Sequence, residues 1–322
     1  MDFKEIIGHE KQIESLKNSI RRGTVSHSYL FEGEEGLGKK LVAHAFSKAL
    51  LCESGQDEPC NVCNSCIKFD SFNHPDFKVI SPTNDVIPIK EIVDLVKDTS
   101  VMPFESKRKV YIIDDCHTMR LESQNALLKT LEEPPEYITI ILITSQKDKI
   151  IPTILSRCQI IKFHSLDSSK IVNILVEKYN LEVNRARFIA NFSKGSLKKS
   201  LELAISSDFF NMREKVISII DSLLKGEKIK AITSMDFFNE NKEHAEEILD
   251  IMIYWFRDLL ILKETGDIDL LINKDMVEKL SSQTFIDLRK INDIIYRIDE
   301  TKTNLKRNVN YNLLIETMLL SI

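Results

Sequence analysis

The chain has 322 residues, 43% hydrophobic and 29% charged, with 9 Gly and 8 Pro. This balance excludes a long disordered protein and asks for two or three domains, mostly helical, rather than one core. A formal net charge of −5 excludes bulk electrostatic capture of nucleic acid, leaving open only a local basic face, and no apolar run approaches the roughly 18 residues of a membrane span.

The start, MDFKEIIGHE, does not read as a signal segment, so the expected location is cytoplasmic, where six cysteines serve metal ligation or burial rather than disulfides. Ile13, Leu16 and Ile20 recur at helical spacing over 9–22, and Gly23 supplies a stop. SYLFE at 28–32 is a short apolar run ending at Gly33, and Leu41, Val42, Ala45, Phe46 and Ala49 resume helical spacing over 39–51, giving strand, glycine loop, helix. Residues 77–80 read as a strand, and Pro88 suits the first turn of a helix carrying Ile89, Ile92, Val93 and Val96. VYII at 110–113 is a buried strand ending in Asp114 and Asp115. A helix with Leu121, Leu127, Leu128 and Leu131 then stops at Pro134-Pro135, and 138–143 is a further buried strand. Strands alternating with helices predict a parallel sheet. Beyond Phe163 the pattern becomes helical. Short helices occupy 165–203, interrupted near Gly195, and longer ones follow from about 208, including 248–262 and 312–322. The expected fold is an α/β phosphate-loop domain over 1–164 with a cysteine insert at 52–66, a small helical lid over 165–207, and an all-helical domain over 208–322.

Gly33, Gly36, Gly38 and Lys39 fit the spacing GxxxxGK, in which small residues let backbone N–H groups wrap phosphate oxygens and the lysine reaches the outer phosphates. Its position after a strand and at a helix start strengthens the match; the competing reading is a tight turn that binds nothing. The pattern calls for Ser or Thr next, because that hydroxyl coordinates the bridging magnesium, yet the residue is Lys40. An ammonium cannot coordinate a metal and repels one. Asp114 can hold magnesium through water, but Asp115 stands where ATPases usually carry a Glu, one methylene longer. A reach deficit of roughly 1 Å costs about a hundredfold in rate. Both departures lead us to expect no tight ATP/Mg²⁺ binding at this site.

Cys60, Cys63 and Cys66 follow CxxCxxC spacing, with Cys52 seven residues of intervening sequence upstream, enough thiolates to close a tetrahedral structural zinc site. Unpaired cysteines or an iron–sulfur cluster are the other readings. Cys116 and Cys158 are expected to be buried or incidental. The stripe Ile248, Met252, Trp255, Leu259 reads as core, and the basic pairs Lys198–Lys199 and Lys306–Arg307 as solvated faces.

With these features together, the chain resembles the clamp-loader branch of the AAA+ ATPases, and within it the delta-prime subunits of bacterial DNA polymerase III. The likeness runs the length of the chain through HSYLFEG at 27–33, the four cysteines, NHPD at 73–76, NALLKTLEEPP at 125–135, TILSRC at 153–158, RDLL at 257–260 and LKRNVNYNLLIE at 305–316. The resemblance implies a pentameric loader that places a sliding clamp on primed DNA, joined to motor subunits and the delta subunit through the C-terminal collar. It implies further that Arg157 is an arginine finger acting in trans on a neighbour's ATP, while an ordinary capping arginine is the plainer reading. Thr144, with Ser145 adjacent, would be the first sensor. Lys198 takes the position where the second sensor is usually Arg, a third departure against autonomous hydrolysis. The expected role is an ATPase-inactive organiser within the DNA polymerase III holoenzyme. The alternative is an ATP-hydrolysing motor subunit; a free-standing zinc-dependent regulator leaves the sheet and collar signatures unexplained.

Overall fold

The continuous apolar runs of the first half build one parallel sheet in the computed structural model, which describes residues 2–227, 229–305, 307 and 309–322. The chain forms two compact units, Met1–Leu166 with Ser196–Lys198, and Asp167–Gly195 with Lys199–Ile322.

In the first unit, α1 (Glu10–Arg21) precedes β1 (Ser28–Glu32), which leads through the glycine loop into α2 (Lys39–Leu51). The cysteine insert carries α3 (Asn64–Asp70); then come β2 (Phe77–Ile80), α4 (Ile89–Thr99), β3 (Lys109–Ile113), α5 (Leu121–Glu132), β4 (Ile138–Thr144), α6 (Pro152–Leu155) and β5 (Gln159–Lys162). The strand order is β2-β3-β4-β1-β5, with every pairing parallel. Every residue of β3 and β4 is buried, because helices cover both faces. Side chains alternate accordingly. Tyr29 and Phe31 pack with Leu16 of α1 and Phe46 of α2, whereas Leu30 joins Leu95, Leu127 and Ile154 from α4, α5 and α6.

β5 is a strand the sequence reading did not assign. It has four residues, only one of them buried, and lies at the sheet edge, so neither a long apolar run nor clean alternation marks it. Leu121, read as part of the inner stripe of α5, stands 59% exposed at the first helical position.

The second unit is helical: α7 (Ser168–Tyr179), α8 (Val183–Phe192), most of α9 (Leu197–Ile205), α10 (Ser207–Leu224), α11 (Ile229–Thr233), α12 (Met235–Glu240), α13 (Ala245–Thr265), α14 (Val277–Ser282), α15 (Leu288–Leu305) and α16 (Tyr311–Leu320). α13 is the central element, with Ile248, Met252, Trp255 and Leu259 fully buried, as their spacing predicted. Trp255 Nε1 donates to Gln283 Oε1 at 2.9 Å, so the indole N–H is not stranded in the core. Arg213, also buried, donates to both carboxylate oxygens of Asp275 at 2.6 and 2.8 Å. Of the Lys306–Arg307 pair, Lys306 lies outside the described residues. Among the described residues, no helix is long and apolar enough to cross a membrane.

Candidate functional site

The C-terminal ends of the strands converge on the glycine loop, the edge where open parallel sheets bind ligands. Gly33 N–H donates to Thr144 O at 3.2 Å, and a Cβ at Gly33 would stand 2.6 Å from the Phe163 carbonyl oxygen, so no side chain fits there. Gly36 and Gly38 have φ of 76° and 85°, the left-handed region that favours glycine. Ser196 Oγ donates to Gly36 O at 3.2 Å, and Lys198 lies beside it, its Cβ 3.8 Å from where a Gly36 Cβ would stand. His9, which the sequence reading passed over, donates from Nε2 to Leu37 O at 2.6 Å and supports the loop from within. Its sequence offered no more than a histidine directly after Gly8.

Both lysines of the loop are occupied. Lys39, 6% exposed, donates from Nζ to Gly33 O and Glu34 O, each at 2.6 Å, closing the loop on itself. Burial pulls its pKa below the ordinary value, opposed by the nearby charges of Asp115, Asp114, Glu35 and Glu34. Lys40 Nζ lies 2.7 Å from Asp114 Oδ2. The ammonium thus pairs with the carboxylate to which the sequence reading gave a divalent ion. Asp115 follows in a left-handed conformation, φ 46°, with its pKa raised by burial and then by Asp114. Thr144, fully buried at the end of β4, accepts from Gln146 N–H at 3.0 Å through Oγ1. The structure therefore brings Gly33, Gly36, Gly38, Lys39, Lys40, Asp114, Asp115, Thr144 and Lys198 to one edge of the sheet.

Arg157 lies elsewhere, in the turn between α6 and β5. Its carbonyl accepts from Ser28 Oγ at 2.7 Å, which ties it to the N-terminal end of β1. The glycine loop leaves the other end of that five-residue strand, about 15 Å away at roughly 3.3 Å per residue. Arg157 Nη2 is 2.8 Å from Glu132 Oε1.

The four cysteines of the insert come together, their Sγ atoms all within 4.8 Å of one another. A tetrahedral zinc site with bonds of about 2.3 Å needs sulfur separations of about 3.8 Å, so a small contraction brings Cys52, Cys60, Cys63 and Cys66 onto a metal. Backbone N–H groups of Cys60, Cys63 and Cys66 donate to the sulfurs of Cys52, Cys60 and Cys63 at 3.3, 3.4 and 3.4 Å. Such donors favour thiolates: those of Val62 and Cys63 draw the Cys60 thiol down to about 6, whereas burial pushes Cys66 up. The donor set fits zinc and is already fourfold, with no position left for a reacting water.

NHPD fastens this insert to the sheet. His74 Nε2 meets Ser65 Oγ at 2.9 Å, between Cys63 and Cys66, and Ser65 Oγ donates to Leu51 O at 2.6 Å. Buried Asp76 accepts from the backbone N–H groups of Phe104, Glu105 and Ser106 at 2.7, 2.9 and 2.9 Å.

These features define the class: a parallel α/β domain with a glycine loop after its first strand, a four-cysteine insert and a helical C-terminal region. Residues 8–167 match the family model described as DNA polymerase III, delta subunit, and residues 207–322 match that described as DNA polymerase III, delta subunit, C terminal. DNA polymerase III subunit delta' of Bacillus subtilis (strain 168) is 34% identical over 312 residues, 95% of this chain and 94% of that protein. DNA polymerase III subunit tau of the same organism is 33% identical over 302 residues, 86% of this chain but only 53% of its own length. A solved DNA polymerase III gamma subunit-related protein from Thermotoga maritima aligns over 96% of this chain and 97% of its own, at 18% identity and a TM-score of 0.44. The chain belongs to the DNA polymerase III delta-prime family of clamp-loader subunits.

Proposed function

We propose that this chain is the organiser of a DNA polymerase III clamp loader, without ATPase activity of its own, and that it supplies Arg157 to ATP bound on a neighbouring motor subunit. The observation that carries the reading is the Lys40–Asp114 ion pair, 2.7 Å long. An ammonium held there offers charge but no coordinating oxygen, and magnesium needs near-octahedral oxygen ligation. Support for the trans role comes from the separation of Arg157 and the glycine loop by the length of β1: the guanidinium is too far away to serve its own loop. A guanidinium stays charged and grips phosphoryl oxygens in a fork, which suits it to stabilise charge developing on a transferred phosphoryl group.

In this reading Thr144 and Lys198 are vestiges of the two sensor positions, and Cys52, Cys60, Cys63 and Cys66 hold a structural zinc ion. Residues 165–207 form a lid and 208–322 a collar that joins the motor and delta subunits, so that the sliding clamp and primed DNA are met through the assembled cytoplasmic complex. The full set Gly33, Gly36, Gly38 and Lys39, with 33% identity to a tau subunit, favours a second reading as an ATP-hydrolysing motor. Steady-state ATP hydrolysis by the purified chain separates the two. We expect negligible turnover; a rate comparable to that of motor subunits, abolished by Lys39→Ala, overturns the first reading.

A further inference from the structure

We propose that Glu132 is a positioning residue for Arg157, fixing its guanidinium in the pose that meets a phosphoryl group on the neighbouring subunit. This rests on the arginine-finger reading above. The backbone of Arg157 is fixed already, its N–H donating to Ile154 O at 3.0 Å and its carbonyl accepting from Ser28 Oγ at 2.7 Å. The freedom that remains is in the long side chain. Nη1 donates to Thr153 O at 2.8 Å and to Ser156 Oγ at 3.3 Å, and Nη2 to Glu132 Oε1 at 2.8 Å. A guanidinium has five N–H donors, of which these contacts use three. The Nε–H and one Nη2–H remain, on nitrogens bonded to the same carbon, and two such donors match two oxygens of a phosphoryl group.

Thr153 and Ser156 lie within four residues of Arg157, so by themselves they tether the head to its own turn. Glu132 comes from another element, the last position of α5, where Pro134-Pro135 prevents the helix from continuing. A second, independent anchor converts a swinging head into an aimed one. The Arg157 side chain is 33% exposed and that of Glu132 is 49% exposed, so the pair contributes little to folding and its removal tests aim rather than stability.

The test uses the loader reconstituted with wild-type chain, Glu132→Ala, Glu132→Gln or Arg157→Ala, measuring kcat and KM for DNA-stimulated ATP hydrolysis, with melting of each free chain as a control. Because the finger acts on developing charge, Glu132→Ala should lower kcat about tenfold or more while leaving KM and melting unchanged. Glu132→Gln keeps the acceptor oxygen and should recover most of the rate. If Arg157→Ala is slow but Glu132→Ala runs at the wild-type rate or faster, the positioning role is wrong and the finger reading survives. A Glu132→Gln as slow as Glu132→Ala likewise removes the acceptor-based aim. Wild-type hydrolysis with Arg157→Ala removes the finger itself, and the role of Glu132 with it.

Discussion

Lys40→Thr restores the hydroxyl that a magnesium-nucleotide site requires, and the geometry fixes what should follow. Lys40 Nζ is 2.7 Å from Asp114 Oδ2, so an ion in direct contact with that carboxylate would lie about 4 Å from the ammonium, and one held through water about 1 Å farther. At that separation a unit charge opposes a divalent ion by about 2 kcal/mol with water-like screening, and by about 8 kcal/mol at an effective dielectric of about 20. The Lys40 side chain is 49% exposed, so the smaller figure applies. Removing the amine also withdraws a charge that attracts phosphate, which lowers affinity with or without metal. The informative quantity is therefore the ratio of ATP dissociation constants measured with EDTA and with magnesium. For Lys40→Thr that ratio should exceed the wild-type value by at least about thirtyfold. Titration calorimetry with ATP in the two buffers measures it, and melting should change by no more than about 1 kcal/mol because the lost ion pair is half exposed. An unchanged ratio would refute the argument that the amine excludes the metal.

Two further substitutions test the insert and the contact of α4 with β3. Cys63→Ser should release zinc from the purified chain, as read by metal analysis, and lower the melting temperature, since a structural metal contributes to folding; a native chain that carries no metal contradicts this. Burial pushes the Asp98 carboxyl up, but the Tyr111 hydroxyl and the Lys109 ammonium outweigh it and hold it below its ordinary value. Lys109 is 1% exposed and keeps the Asp98 carbonyl as a partner, while the Asp98 side chain is 41% exposed, so Asp98→Asn removes the countercharge of a buried cation and should cost about 1 kcal/mol at neutral pH. A depressed carboxylate stabilises above its unfolded pKa, near 3.9, and loses that contribution as pH falls through the folded value. The stability gap between wild type and variant, measured by urea unfolding, should therefore be full at pH 7 and shrink below about pH 4; a gap that widens on acidification reverses the assigned sign.

What could be read from the sequence follows from where each signal resides. β3 and β4 announced themselves because burial on both faces demands unbroken apolar runs, and the glycine loop because its backbone tolerates few alternatives. β5 did not, since an edge strand with one buried residue has no such pattern. The change at Lys40 was visible as a missing hydroxyl, but its partner Asp114 lies 74 residues away and only the sheet brings them together. Glu132 was read within NALLKTLEEPP and Arg157 within TILSRC, two separate strings; their pairing is a tertiary fact. NHPD was likewise a recognisable string without a task until His74 emerged as the fastening of the cysteine insert and Asp76 as the anchor of the 104–106 loop.

Because β1 separates Arg157 from the glycine loop, the residue proposed to serve a neighbour and the loop that would be served lie at unlike ends of the first unit. Head-to-tail contacts of that sort propagate until a member refuses one of them. On the proposed reading this chain can lend a guanidinium but cannot receive one over a working nucleotide. On that same reading it ends a row rather than continuing one, and leaves the assembly an open arc.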